Sequence, residues 1–401
     1  MSSPKIVSVR SVLLSAPYAD ARDDLEVILH LPSGWRTTGL VEITLSNGMV
    51  GLGEGYLAVF APRVFEEIVK LVAPVLLGRD PQDIARLCRE VSTVTGYWSL
   101  QGAAQHVVSA VEIALQDCRA QALRLPVWRM LAGARARPNL RFYASGGDAV
   151  GPEPMSRELD RIQALGIDIL KIRARNHEAD KTRWCQRAGG KRGIMVAVDM
   201  TQNLAIPSQS VDDVVRFLGE VTREGGAAPV FLEEALGPLE IANYAKLRTS
   251  VRGTKIAGGE IVTTAIELCQ RIEQGCYDIA QPDATVLGGV GPTLEVFAAA
   301  KRHGVQVYVH CWGGPVGMMA NYHAAMAGGG TVAEWPVKSY PLRDALVVQP
   351  WEITRGELVL PEVPGLGVRL TPAIEREYAF REEAVYRCLV DPLRIPRVDW
   401  R

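Results

Sequence analysis

The rhythm of apolar and polar positions changes near residue 136. Before it, apolar residues alternate in short runs at 6–14, 27–31, 40–45 and 50–53, with Asn47-Gly48 between the last two, which predicts a meander of three or four strands with a tight turn. Three longer stretches, 63–77, 80–91 and 101–122, carry apolar residues at helical spacing, the second opened by Asp80-Pro81 as N-cap and first helical position. Strands followed by helices predict an α+β unit over residues 1–135.

Beyond it the pattern becomes a strict alternation. Apolar runs at 140–144, 168–173, 194–199, 230–233, 255–257, 278–281, 305–310 and 332–334 predict strands. The amphipathic stretches between them, 152–164, 178–188, 211–224, 239–251, 263–274, 292–303 and 318–327, predict helices. The strands begin 23 to 36 residues apart, about what one strand, one helix and two loops consume. Eight such periods favour a closed parallel α/β barrel of the TIM type over 136–343, since an open doubly wound sheet usually has about six strands. The remaining 344–401 holds a strand-like run at 358–360, a Pro364-Gly365 turn and a charged helical stretch near 375–387, and is expected to fold back on the N-terminal unit.

Composition narrows the functions. Lys plus Arg (44) balance Asp plus Glu (45) to a formal charge of −1, so no global field favours nucleic acid or an anionic membrane. No run approaches ~18 uncharged apolar residues. The seven cysteines are odd in number, dispersed and without a C-x-x-C pair, which reads as free thiols in a cytoplasmic protein. No P-loop or G-x-S-x-G occurs, and Gly51-Leu52-Gly53-Glu54-Gly55 misses dinucleotide-binding spacing and lies in the meander.

The predicted strands end in chemistry. In order, their C-terminal ends carry Lys171 and Arg173, Asp199, Glu233, Glu260, Asp283, His310 and Glu334, and in a parallel barrel these ends share the face that bears active sites. A single Asp at a strand end is often only a helix cap, but a run of ionisable ends is not explained that way. Asp199, Glu233 and Glu260 would converge, and like charges so close need a cation. All-oxygen ligands select Mg²⁺, or Mn²⁺ as substitute. Strand alternation sends Glu233 and Glu234 different ways, and Glu233 is preferred as ligand. Lys171 and Arg173, two apart, share a strand face. Asp283 beside His310 would orient the imidazole and raise its basicity, which suits a general base. His30, His106, His177, His303 and His323 lack acidic strand-end partners and read as ordinary structural histidines; Cys311 should face away from the site.

The segments LKIRAR, VAVDM, FLEEALGP, IAGGE, QPDATVLGGV, VYVHCW and AEWP, in this order, with a late LVLPEVPGLGVRL, resemble the enolase superfamily and specifically its mandelate racemase subgroup, over nearly the whole chain. The resemblance implies a modified (β/α)8 barrel of the enolase type under an α+β capping domain, with Asp199, Glu233 and Glu260 as Mg²⁺ ligands, and Asp283 with His310 as catalytic dyad. It also implies that Lys171 contacts the substrate carboxylate, that Glu334, in its protonated form, hydrogen-bonds it, and that the partners are a small hydroxy acid and copies of the chain in an even-numbered homo-oligomer. Loops at 15–39 and 53–60 would close over the substrate, with Tyr18, Arg22, Trp35 and Tyr56 as candidate specificity residues.

Two departures refine the expected reaction. Arg173 stands where the subgroup's second lysine is a base, and a guanidinium is a poor proton acceptor, so two-base racemisation is disfavoured against one-base dehydration of a sugar acid. Thr201 stands where the family often has Asn, and Gln202 or Asn203 is the expected compensation. Racemase or epimerase activity is the alternative reaction, and a non-catalytic protein derived from the scaffold the alternative class.

Overall fold

A computed structural model describes residues 3–18, 23–132, 139–202, 205, 207–388 and 398–400. Its N-terminal part runs β1 (Ile6–Pro17), α1 (Leu25–His30), β2 (Trp35–Leu45), β3 (Val50–Glu54), α2 (Pro62–Leu76), α3 (Ile84–Ser99), α4 (Ala103–Leu123) and α5 (Val127–Ala132). The strands form an antiparallel sheet in the order β1-β2-β3. Residues 27–30 lie in a helix, not a strand: Asp24 caps it by accepting Val27 N–H at 3.1 Å, and a short apolar run does not distinguish the two states by periodicity. The second long helix begins at Ile84, because Asp80 instead closes a turn by accepting Gln82 N–H at 3.0 Å. The glycines of the Gly51–Gly53 stretch have a packing role. A Cβ on Gly53 would stand 1.8 Å from Ala110 O of α4, so only glycine lets that helix close on β3.

The barrel comprises β4 (Asn139–Ser145), β5 (Ile169–Arg173), β6 (Met195–Asp199), β7 (Phe231–Glu233), β8 (Lys255–Gly258), β9 (Ile279–Ala280), β10 (Gln306–Val309) and β11 (Val332–Pro336). Neighbours are parallel, and β11 closes on β4 with Val332 opposite Arg141 and Pro336 opposite Ser145. Helices α6 (Pro152–Ala164), α7 (Ala179–Gly190), α8 (Val211–Val221), α9 (Ile241–Ser250), α10 (Ala265–Glu273), α11 (Val290–His303) and α12 (Pro315–Gly328) alternate with these strands, so all seven expected helices form. Tyr143, Ala197, Phe231, Ala257 and Ile279 fill the interior. After α13 (Pro341–Ala345), the hairpin of β12 (Ile353–Thr354) and β13 (Glu357–Val359) adds antiparallel to β4. The charged stretch near 375–387 is not one helix: α14 (Pro372–Glu377) is capped by Thr371, and a separate short 3-10 turn follows at Glu382–Ala384.

Two buried acids seat the N-terminal part on the barrel. Glu54 of β3 accepts Gly314 and Gly317 N–H at the start of α12, and Glu112 of α4 accepts Val290 N–H (2.7 Å) and Gly291 N–H (3.0 Å) at the start of α11. Carboxylates suit helix N-termini, where backbone N–H groups lack partners. The two helices follow the strand ends carrying His310 and Asp283, so the docking fixes what lies above those residues.

Candidate active site

The strand register places the ionisable ends on one rim: Arg173 is paired with Asp199, and Asp199 with Glu233. Lys171 is 4% exposed, and its ammonium contacts Glu233 and lies 2.9 Å from Glu334 Oε1. Burial works against its charge, but Glu233, Glu334, Asp199 and Glu260 raise its pKa well above the ordinary lysine value. Glu233 also receives Gln281 Nε2–H. Glu234, with φ +43°, turns away and accepts Gly259 N–H at 2.8 Å and the Tyr244 hydroxyl at 3.3 Å. It therefore braces the loop that precedes Glu260.

The dyad has the expected contact. His310 Nδ1 lies 2.9 Å from Asp283 Oδ2. The other oxygen, Oδ1, accepts Thr285 N–H (2.8 Å), Thr285 Oγ1–H (2.7 Å) and Asn321 Nδ2–H (2.8 Å), which fixes the carboxylate's rotation. Nε2 of His310 is left facing Glu260 Oε2 at 3.3 Å. Against the cost of burial, Glu260, Glu334 and Asp283 push His310 up to about 10. Glu260 is the largest of the raising charges, so whatever takes up its charge returns the imidazole toward the range a base needs.

Glu334 differs from expectation. Burial favours the neutral acid, but Lys171, His310 and the Cys311 N–H (2.7 Å) overcome it and hold the carboxyl down at about 2. These contacts favour the ionised form of Glu334, which accepts hydrogen bonds, over the protonated form expected. Cys311 is buried, which pushes its thiol up and leaves it unsuited to nucleophilic work.

The three expected metal ligands each have a positive or N–H partner: Glu233 has Lys171, Glu260 has His310, and Asp199 has Thr201 N–H at 2.7 Å and Arg173 Nε at 3.5 Å. They are near enough to act on one another. Burial first, then the charges of Asp199, Glu260 and Glu334, raise Glu233 to about 8 in spite of Lys171. A buried set of hard oxygens that repel one another fits a small divalent cation. Among the described residues, the three carboxylates whose oxygens lie within 4.8 Å of each other are different ones, Asp24, Glu26 and Asp148. That geometry could hold a cation, and the Lys338 ammonium already supplies one, 3.0 Å from Asp24, 2.8 Å from Asp148 and in contact with Glu26.

Arg173 belongs to the same network. Its guanidinium lies 2.8 Å from Asp148, 3.4 Å from Glu26 and 3.5 Å from Asp199, so it ties an expected metal ligand to the cap. Against burial, those carboxylates raise its pKa well above even its ordinary value. Replacing Lys338 with Met leaves Asp24, Glu26 and Asp148 facing one another without their ammonium. Urea unfolding of Lys338→Met should show a loss of about 3–5 kcal/mol.

Among the expected specificity residues, Tyr56 reaches the dyad, its ring 6.1 Å from that of His310 and edge-on. Tyr18 joins the acidic network, its hydroxyl 3.5 Å from Glu26, and Trp35 lies under the Arg381 guanidinium at 3.7 Å. Gln202 does not compensate for Thr201: it donates to Met200 O (2.9 Å) and accepts from Gln209 N–H (2.7 Å) within its own loop. Arg22 and Asn203 lie outside the described residues. Sequence reasoning missed Gln281, Asn321, Asp148, Glu26 and Lys338. Gln281 was within reach of it, being two residues from Asp283 at the same strand end.

Comparison with known proteins agrees with this architecture. Residues 34–132 match the family described as the mandelate racemase / muconate lactonizing enzyme N-terminal domain, and residues 154–374 match the enolase C-terminal domain-like family. D-gluconate dehydratase of Thermoproteus tenax is 25% identical over 380 residues, covering 90% of this chain and 73% of its own. Arabinonate dehydratase of Saccharolobus solfataricus is 26% identical over 343 residues, covering 84% and 89%. The crystal structure of 3,6-anhydro-D-galactonate cycloisomerase from Zobellia galactanivorans superposes with a TM-score of 0.80 at 22% identity, covering 93% of this chain and 99% of that one. By these matches and its closed eight-stranded barrel, the chain belongs to the enolase superfamily, in the mandelate racemase subgroup.

Proposed function

We propose that the chain is a Mg²⁺-dependent hydro-lyase that dehydrates a sugar acid to a 2-keto-3-deoxy acid. The observation that carries this reading is the pairing of one oriented base, His310 on Asp283, with an Arg173 guanidinium that Asp148, Glu26 and Asp199 keep charged. The names of the gluconate and arabinonate dehydratases support the substrate class.

Mg²⁺, or Mn²⁺ in its place, held by Asp199, Glu233 and Glu260, would supply the positive charge that makes a proton next to a carboxylate removable. The buried Lys171 ammonium adds a charge-assisted hydrogen bond to the substrate carboxylate as negative charge builds there. His310 takes the α-proton at Nε2, while Asp283 holds Nδ1–H and stabilises the imidazolium. The imidazolium then returns that proton to the β-hydroxyl, which leaves as water, and the resulting enol tautomerises to the 2-keto acid. Because one residue performs both transfers, hydrogen and hydroxyl depart from the same face. Arg173 cannot supply the second base that inversion at the α-carbon needs.

Incubation with a library of aldonic and aldaric acids and Mg²⁺, assayed for 2-keto acid, tests the reading. Turnover of at least one aldonic acid is expected. No turnover of any member, by protein shown to bind the metal, would contradict it.

A further inference from the structure

The segment after α14 enters the barrel mouth. Thr37 Oγ1 donates to Ala384 O at 3.1 Å, Tyr386 N–H to Val59 O at 3.1 Å, and Arg387 N–H to His30 O at 2.9 Å. The backbone at 384–387 is thus wedged between α1 and the 3-10 turn Tyr56–Val59, the two pieces of the cap that overlie the strand ends. Its central side chain, Tyr386, is 7% exposed. The ring stacks on His30 (4.5 Å between centroids, 8° between planes) and meets Phe60 and Trp312 edge-on at 5.3 and 5.4 Å. Trp312 stands two residues beyond His310, and Tyr56 spans the two, 5.6 Å from the Trp312 ring and 6.1 Å from the imidazole.

The packing accounts for the ring and not for its hydroxyl. The ring contacts leave the hydroxyl out of account, since phenylalanine would fill the same space. The charges that bear most on it are Glu26, Arg173, Asp148 and Lys338. The Tyr386 ring thus lies on the dyad side, two aromatic contacts from His310, and within electrostatic reach of Arg173, which in turn reaches Asp199. Glu26 Oε1, one of those charged groups, is buried without a partner among the described residues.

We propose that Tyr386 is a substrate-contacting, specificity-determining residue: its hydroxyl receives a hydroxyl of the polyol chain beyond the reacting carbons, with Glu26 as a second acceptor beside it. The substrate class rests on the dehydratase reading; the wall itself rests on the packing just described.

The test uses the full chain with saturating Mg²⁺ and two variants, Tyr386→Phe, which removes one oxygen, and Tyr386→Ala, which removes the wall. The probe is 3-deoxygluconate, which lacks the β-hydroxyl and cannot be dehydrated but keeps the distal hydroxyls. By calorimetry its Kd should rise about tenfold in Tyr386→Phe, one hydrogen bond's worth, and about 100-fold in Tyr386→Ala. On the aldonic acid that wild type turns over best, Tyr386→Phe should raise KM more than it lowers kcat, with Tm and Mg²⁺ affinity unchanged. Unchanged Kd and kcat/KM in both variants overturn the assignment even where wild type dehydrates aldonic acids. If wild type dehydrates none yet binds the probe, and the variants bind it more weakly, the dehydratase reading falls and the Tyr386 assignment stands. Absence of both binding and turnover in wild type overturns both.

Discussion

His310→Asn is expected to lower kcat by about 10⁴-fold on any acid the wild type dehydrates, because one imidazole both takes the α-proton and delivers a proton to the departing hydroxyl. Asparagine retains a polar group near Asp283 but has no basic nitrogen. The loss should be confined to chemistry. On the Nδ1 side only Asp283, not an expected metal ligand, loses a contact, and it keeps Thr285 and Asn321; on the Nε2 side Glu260 loses a group that competes with a cation for its charge, at 3.3 Å, and no ligand oxygen is removed. Mg²⁺ titrated by calorimetry should therefore bind within a few-fold of wild type. A variant that retained a tenth of the activity would mean that another group removes the proton.

The second large effect is the response to chelation. Removing divalent cation with EDTA should abolish turnover, and Mg²⁺ or Mn²⁺ should restore it, whereas Glu233→Gln should not be rescued at millimolar Mg²⁺. The reasoning is electrostatic. The rim gathers Asp199, Glu233, Glu260, Asp283 and Glu334 against Lys171, Arg173 and His310, and Lys171 alone does not offset the burial and then the crowding that raise Glu233 to about 8. A substrate carboxylate entering that rim would add a further negative charge. Glu260 Oε2, 3.3 Å from Nε2 of His310, also competes for the atom that must take the proton unless its charge is otherwise engaged. Full activity after exhaustive chelation would remove the basis for reading Asp199, Glu233 and Glu260 as ligands.

Much of this was legible in the sequence because it is periodic. Eight strand-helix repeats announce a barrel, and a barrel brings strand ends together whatever their distance in the chain, so Lys171, Glu233, Glu260, Asp283, His310 and Glu334 could be assembled on paper. What was missed depends on contacts without a period. Lys338 collects Asp24 and Glu26 from the start of α1 and Asp148 from the loop after β4, and no spacing rule relates 24, 148 and 338. Asn321 reaches Asp283 from α12, where it reads as one polar residue in an apolar helix. The helix at Leu25–His30 was mistaken for a strand because six residues are too few to show a 3.6-residue period, and the deciding signal was the Asp24 cap. The pull of Glu334 toward its ionised form comes from Lys171 at 2.9 Å, a distance that no sequence states.

The central claim is one-base dehydration, and proton NMR of an aldonic acid incubated with the enzyme and Mg²⁺ in D₂O tests it most directly. The account predicts loss of the α-proton signal together with the appearance of a 2-keto-3-deoxy acid carrying one deuterium at C3, with no α-epimer at any time. Exchange of the α-proton without loss of water would contradict dehydration, and growth of the α-epimer would mean that a second base acts opposite His310.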